Sequence, residues 1–209
     1  PRPAKWFVQR SNVGNTGADY YFAKNPEYGA VFTYHLSKEY KTQKSLRQKR
    51  EKELNKAEKN VPFPGWEALD AEKQEMPAQV ILTIEDQQGN VINKVKKKAS
   101  KGSHRIAWNL EHFNPFAISM NGRSRRGGGA LATPGTYQAT LHLEKDGNVT
   151  KLDGPISFEV KPIREGVLKG AGYAEYNAFR TDLTSFIQQI SEVQDKFDQS
   201  KKKLKALST

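Results

Sequence analysis

The sequence predicts a mainly β protein: an antiparallel β-sandwich carrying an inserted helix and a long C-terminal heptad helix. Period-two alternation dominates the middle of the chain. Short apolar runs there are separated by Gly, Asn and Pro turns, the pattern of a sandwich. A seven-residue apolar repeat then occupies the C-terminal segment. Helices do not alternate with strands, which argues against a doubly wound parallel sheet. With 209 residues, 36% of them hydrophobic, the chain can bury one sizeable core and still carry an appendage. The expected division is a sandwich over residues 1–163, interrupted by a helical insertion at about 37–77, and a helix over 164–209.

Taken in order, DYYFA (19–23) and AVFTYHL (30–36) read as the first strands. Residues 38–60 are rich in lysine and glutamate, with Leu46 and Leu54 almost their only large apolar side chains. High propensity with so thin a stripe predicts an exposed, weakly held helix. Pro62 and Pro64 forbid its continuation, and Asp70 to Glu75 suggests a short turn before the next strand. In PAQVILTIE, Val80, Leu82 and Ile84 share one face. Gln87-Gln88-Gly89-Asn90 supplies turn chemistry before a strand containing Val91 and Val95. SHRIAWNLE places His104, Ile106, Trp108 and Leu110 on one side, and Trp108 is expected to fill the core. Thr133-Pro134-Gly135 reads as a type II turn with positive φ at Gly135. TYQATLHLE follows with Tyr137, Ala139, Leu141 and Leu143 aligned, then the turn Asp146-Gly147 and the strand ISFEV.

From Gly172 onward, Tyr176, Leu183, Ile190, Phe197 and Leu204 recur every seven residues. Phe179, Phe186, Val193 and Leu207 fall at the companion positions, with Ser200 the polar exception. Such a stripe either lies on the sandwich or forms a coiled coil. At about 1.5 Å per residue the helix approaches 50 Å, longer than the face of a small sandwich, so its far end calls for another partner. A second copy, a further helix or the rest of a longer chain would each serve. The side chains expected to carry that contact are Tyr176, Phe179, Leu183, Phe186, Ile190, Val193 and Phe197.

The net charge of +11 invites a nucleic-acid reading. Its distribution opposes one, because acidic residues interleave with the basic run at 38–59 and no recognition motif accompanies the clusters. A specific nucleic-acid partner is therefore not expected. The absence of cysteine excludes disulfides and thiolate chemistry. No stretch is apolar for the length of a membrane span. Starting at Pro1 without an apolar signal segment, the sequence reads as a processed product or a piece of something longer.

NGRSRRGGGALATPGTY (121–137) sets Arg123, Arg125 and Arg126 before three glycines. A phosphate loop requires spaced glycines and a lysine at the start of a helix, whereas this run leads into a strand. The nucleotide cradle is rejected. The three arginines remain candidates for gripping sulfate, uronate or lipid phosphate, or they are solvated charges on a long loop spanning about 111–132. His35, His104, His112 and His142 lack metal-ligand spacing, so no metal and no cofactor is expected. No nucleophile elbow occurs, and the carboxylates sit in turn-like or helix-like contexts, so no catalytic residue is assigned. Trp6, Trp66 and Phe116 lie outside the strongest strands. They can stack on sugars, or, in the case of PFPGW, tuck Phe63 and Trp66 against the sandwich as anchors of the insertion.

Several runs taken together resemble a known family. They are NPEYGAVFTYHL (25–36), VPFPGWEAL (61–69) behind the lysine-rich helix, VILTIEDQQGNVINKV (80–95), KGSHRIAWNL (101–110) and ATPGTYQATLHLEKDGNVTKLDGPISFEV (132–160). In order and spacing they resemble the C-terminal region of bacterial glycosyl-hydrolase-like proteins with sialidase-type (BNR) repeats, and of sortilin-like propeller proteins. The resemblance implies an Ig-like or fibronectin-like sandwich with terminal helices, standing behind an N-terminal β-propeller. It also implies an extracellular, periplasmic or outer-membrane-associated location. This sequence contains no propeller repeat and no position onto which a family catalytic residue maps. The expected role is thus a noncatalytic accessory module, with a glycan or anionic-polymer binding module as the alternative. Its partners would be the propeller domain, a partner helix or a second copy.

Overall fold

The computed structural model describes residues 2–7, 27–115, 128–163 and 170–207. Among these, the strands are β1 (Ala4–Trp6), β2 (Ala30–Leu36), β3 (Gln79–Glu85), β4 (Val91–Lys98), β5 (Gly102–Trp108), β6 (Gly135–Lys145) and β7 (Asn148–Pro162). The helices are α1 (Gln43–Lys56), α2 (Trp66–Gln74) and α3 (Tyr173–Leu207). A curled five-stranded sheet has the order β1-β7-β6-β3-β4, and β2 and β5 form a second, two-stranded sheet. β1 runs parallel to β7, pairing Ala4 with Val160 and Trp6 with Pro162, whereas the other neighbours are antiparallel. The architecture is therefore mixed α/β with a mixed sheet, not the purely antiparallel sandwich expected from sequence. Three residues are too few to display an alternation, and β1 is fixed by a partner at the far end of the chain, so local pattern could not reveal it.

The two sheets share one core. Ile106 and Trp108 of β5 are buried together with Leu82 and Ile84 of β3, Tyr137 and Ala139 of β6 and Val160 of β7. Aromatic rings stitch the layers, with Trp108 edge-to-face on Tyr137 at 5.3 Å and Phe32 on Phe158 at 5.1 Å between centroids. The expected inner face of β3 is correct, and Ile81 and Thr83 on its other face are buried as well. In β4 a register shift at Ile84/Glu85 turns Ile92 inward and leaves Val91 exposed. β4 is the outermost strand on its side and carries Lys94, Lys96, Lys97 and Lys98.

The turns follow their chemistry with one exception. Asp86 accepts from the backbone N–H groups of Gln88 and Asn90 at 2.9 and 2.8 Å, and Gly89 has φ +84°. Asp146 and Gly147 both have positive φ, as a tight hairpin turn requires. Gly135 does not adopt positive φ; it opens β6 instead. β7 extends well before the expected ISFEV and continues through Gly154, whose φ is +100° where the register with β6 slips.

The insertion is two helices rather than one helix and a turn. Thr42 caps α1 by accepting from the Ser45 N–H, and Gly65, at φ +91°, lets the chain reverse into α2 after Pro64. Every residue of both helices keeps some exposure, so polar bonds rather than an apolar face join them. Arg47 grips both oxygens of Glu72 at 2.7 and 2.8 Å and also bonds Glu51. The guanidinium beside it holds the Glu72 carboxyl below its ordinary range. The Gln43 N–H donates to Glu75 at 2.6 Å.

Candidate interaction site

α3 is 35 residues long, about 52 Å at 1.5 Å per residue. It meets the β body along its first half only through a narrow face. Asn177, Arg180, Thr184 and Ile187 are half-buried and Ser191 is buried, and Asp195, further along the same side, is half-buried as well. The spacing of three and four residues defines one side of a helix, but it is a mostly polar side. Asn177 Nδ2 donates to Thr133 Oγ1 at 2.9 Å, and Tyr173 sets its ring edge-to-face with Trp6 at 6.5 Å. Trp6 in turn donates its indole N–H to the Ala132 carbonyl at 2.6 Å, so β1, the approach to β6 and the start of α3 meet at one ring.

The apolar stripe stands one position away, roughly 100° round the helix. Its members are all exposed, from 41% at Ile190 to 84% at Leu207. Tyr176, Phe179, Leu183, Phe186 and Val193 lie between these two. The helix thus lies against the body with one face and presents the heptad face to solvent. Burying a Phe, Leu or Ile side chain of this kind is worth about 1.5–3 kcal/mol, so the exposed row is costly unless something covers it.

Under the root of α3 lies a cleft of about 390 Å³, lined by Asp86, Ile92, His112, Asn177, Arg180 and Thr181 among others. The Nε of Arg180 is buried there without a hydrogen-bond partner among the described residues. The backbone N–H of His112 donates to the Ala130 carbonyl at 2.9 Å. Burial, and then the neighbouring Arg180 charge, push the His112 imidazole down to about 4, against a small opposing effect of Asp86. The unfolded chain takes up this proton near the ordinary value of 6.5, the folded chain only near 4. The stability that His112 contributes is therefore complete above 6.5 and is lost as pH falls through that window to 4. We expect the unfolding midpoint of wild type to fall over this range more than that of His112→Gln, as read by denaturant titration at each pH. Equal slopes would refute the assignment.

The remaining sequence candidates are spread over the molecule. Trp66 opens α2 and is 73% exposed, with its ring edge-to-face on Phe63 at 5.2 Å. Phe63 is exposed too, so this pair does not tuck against the sheets as an anchor. Trp6 is half-buried with its N–H engaged, well apart in sequence and role from Trp66. Arg123, Arg125 and Arg126, together with Phe116 and the strand expected at 19–23, lie outside the described residues. Among the described residues no group of three or more His, Asp or Glu is placed to hold a metal ion. No described helix is long and apolar enough to cross a membrane. The chain matches no family model, no curated protein and no solved structure.

Sequence reasoning identified the stripe and missed the seat. The polar face that rests on the body has no periodic apolar signal; its position follows from single bonds such as Asn177 to Thr133.

Proposed function

We propose that the chain is a noncatalytic accessory and interaction module of a secreted or envelope propeller protein of the glycosyl-hydrolase-like kind. In this reading the β body, residues 1–163, is an Ig-like or fibronectin-like unit that supports or caps a propeller. The rod, residues 164–209, buries its apolar stripe against a partner. One observation carries the proposal: a full row of aromatic and aliphatic side chains on α3 faces solvent while a polar face holds the helix to the body. The Ig-like element draws support from Trp108 between the two sheets and from Tyr137, whose hydroxyl donates at 2.6 Å to the carbonyl of Thr133 four residues upstream.

The test uses the natural polypeptide with its neighbouring domains. Phe186→Asp combined with Ile190→Asp should speed tryptic cleavage within α3 on the order of ten-fold, because the rod loses its cover. Unchanged cleavage would overturn the docking reading. The same module should hydrolyse no glycoside, and turnover would make it an enzyme instead.

A second reading, a glycan or anionic-polymer binding module, is favoured specifically by the exposed Trp66 and Phe63 rings. It requires that retention on immobilised glycan or heparin be lost in Trp66→Ala, or in the combined replacement of Arg123, Arg125 and Arg126 by alanine.

A further inference from the structure

We infer that the occupant of the α3 stripe is the α3 of a second copy, lying antiparallel. The inference rests on the docking reading above and names its partner. With Tyr176, Leu183, Ile190, Phe197 and Leu204 on one apolar row and Phe179, Phe186, Val193 and Leu207 on the other, two flanks border the seam. One flank carries Arg180 and Ile187, which are half-buried on the side of the chain's own β body. The other flank is exposed throughout and consists of Glu175, Asp182, Gln189, Lys196 and Lys203.

Read along the helix at seven-residue intervals, that open flank is negative, negative, neutral, positive, positive. It is its own complement only when reversed. Two helices crossing head to tail about Gln189 bring Glu175 to Lys203 and Asp182 to Lys196 of the other copy, each pair formed twice. Lys196 already bonds Glu192 within its own helix at 2.8 Å, on the same exposed surface. A parallel pair would instead oppose each open flank to the other copy's body-side flank. It would set Asp182 against Ile187 and Lys196 against Lys201, a like-charge contact, and its one opposite-charge pair, Glu175 with Arg180, would fall on the half-buried body side.

The apolar rows agree with the charges from Tyr176 to Ser200, while Leu204 and Leu207 run past the start of the other α3 at Tyr173. In the same antiparallel register Phe179 meets Phe197, Leu183 meets Val193 and Phe186 meets Ile190. Ser200, the polar member of the stripe, falls opposite Tyr176; its hydroxyl already donates to the Lys196 carbonyl at 2.9 Å and is left to accept from the phenol. The gap in the heptad pattern is thereby matched rather than merely tolerated.

The experiment is sedimentation of the full chain from about 1 µM to about 100 µM, with far-UV circular dichroism confirming the fold of each variant. Wild type is expected to reach a dimer. Asp182→Lys alone and Lys196→Glu alone should each weaken the dimer on the order of ten-fold, since each places two like-charge pairs across the seam. Mixing the two variants should restore it, because in the mixed dimer every Asp182–Lys196 pair is again of opposite sign. A spin label at Ser200→Cys should report a separation of about 36 Å between copies, the length of 24 helical residues.

A wild type that stays monomeric at every concentration overturns the second copy as occupant. The protease test on the natural polypeptide then decides separately whether the stripe docks on anything. A dimer that Lys196→Glu tightens, or whose labels lie within about 15 Å of each other, overturns the antiparallel arrangement in favour of the parallel one.

Discussion

Trp108→Ala is expected to lower the free energy of unfolding by about 3–5 kcal/mol, seen as a shift in the denaturant midpoint at unchanged slope. Trp108 is completely buried and touches Tyr137 and Phe158 from the facing sheet edge-to-face. Its indole N–H donates to the Glu111 carbonyl at 2.8 Å, the same carbonyl that accepts from Asn93 of β4 at 2.7 Å. Truncation removes the filler between two layers and one of the ties to the Glu111 carbonyl. Trp108→Phe narrows the difference, because it keeps the six-membered ring while removing the donor and part of the bicycle; it should cost about 1–2 kcal/mol from the lost bond, plus a smaller packing loss. A loss below about 1 kcal/mol for the alanine variant would mean that the two sheets do not share a core.

Gly29→Ala should cost about 3 kcal/mol or more, and it does so without removing any contact. Gly29 has φ +99°, a conformation that side-chain-bearing residues rarely adopt. A methyl group placed there would run into the Trp108 carbonyl, with the Trp108 carbonyl carbon and the Asn109 Cα immediately behind it. These are backbone atoms of the facing strand, which cannot swing away as the end of a flexible side chain can. Relief requires the start of β2 to separate from the end of β5, where Ala30 pairs with Trp108. Amide exchange at Ala30 and Val31 should therefore accelerate in this variant. Unchanged exchange together with wild-type stability would show that β2 does not begin where it is placed.

The alternating strands were readable because their core-facing side chains recur with a period of two, even in β3, where Ile81 and Thr83 on the other face are buried too. β3, β5 and β6 stand where Val80, Ile106 and Tyr137 put them. β1 was not readable, since its pairing with β7 is a long-range event that leaves no local pattern in three residues. The inserted segment was recognised as helical from composition, yet its second helix was underestimated. Proline and glycine before Trp66 mark a start there as readily as the stop assigned to them. In α3 the apolar rows declared themselves through the heptad repeat. Which face sits on the body did not, because Asn177, Arg180 and Thr184 are polar residues chosen by individual partners. Leu110 is a comparable case: fully buried at φ +61°, it holds a backbone conformation that nothing in its identity advertises.

The lysines along β4 bear on how such chains can coexist at high concentration. A stranger's strand laid alongside that margin would have to crowd against Lys94, Lys96, Lys97 and Lys98, so lateral growth into fibrils is opposed from the start. Part of the positive charge thus stands where it opposes amyloid-like stacking.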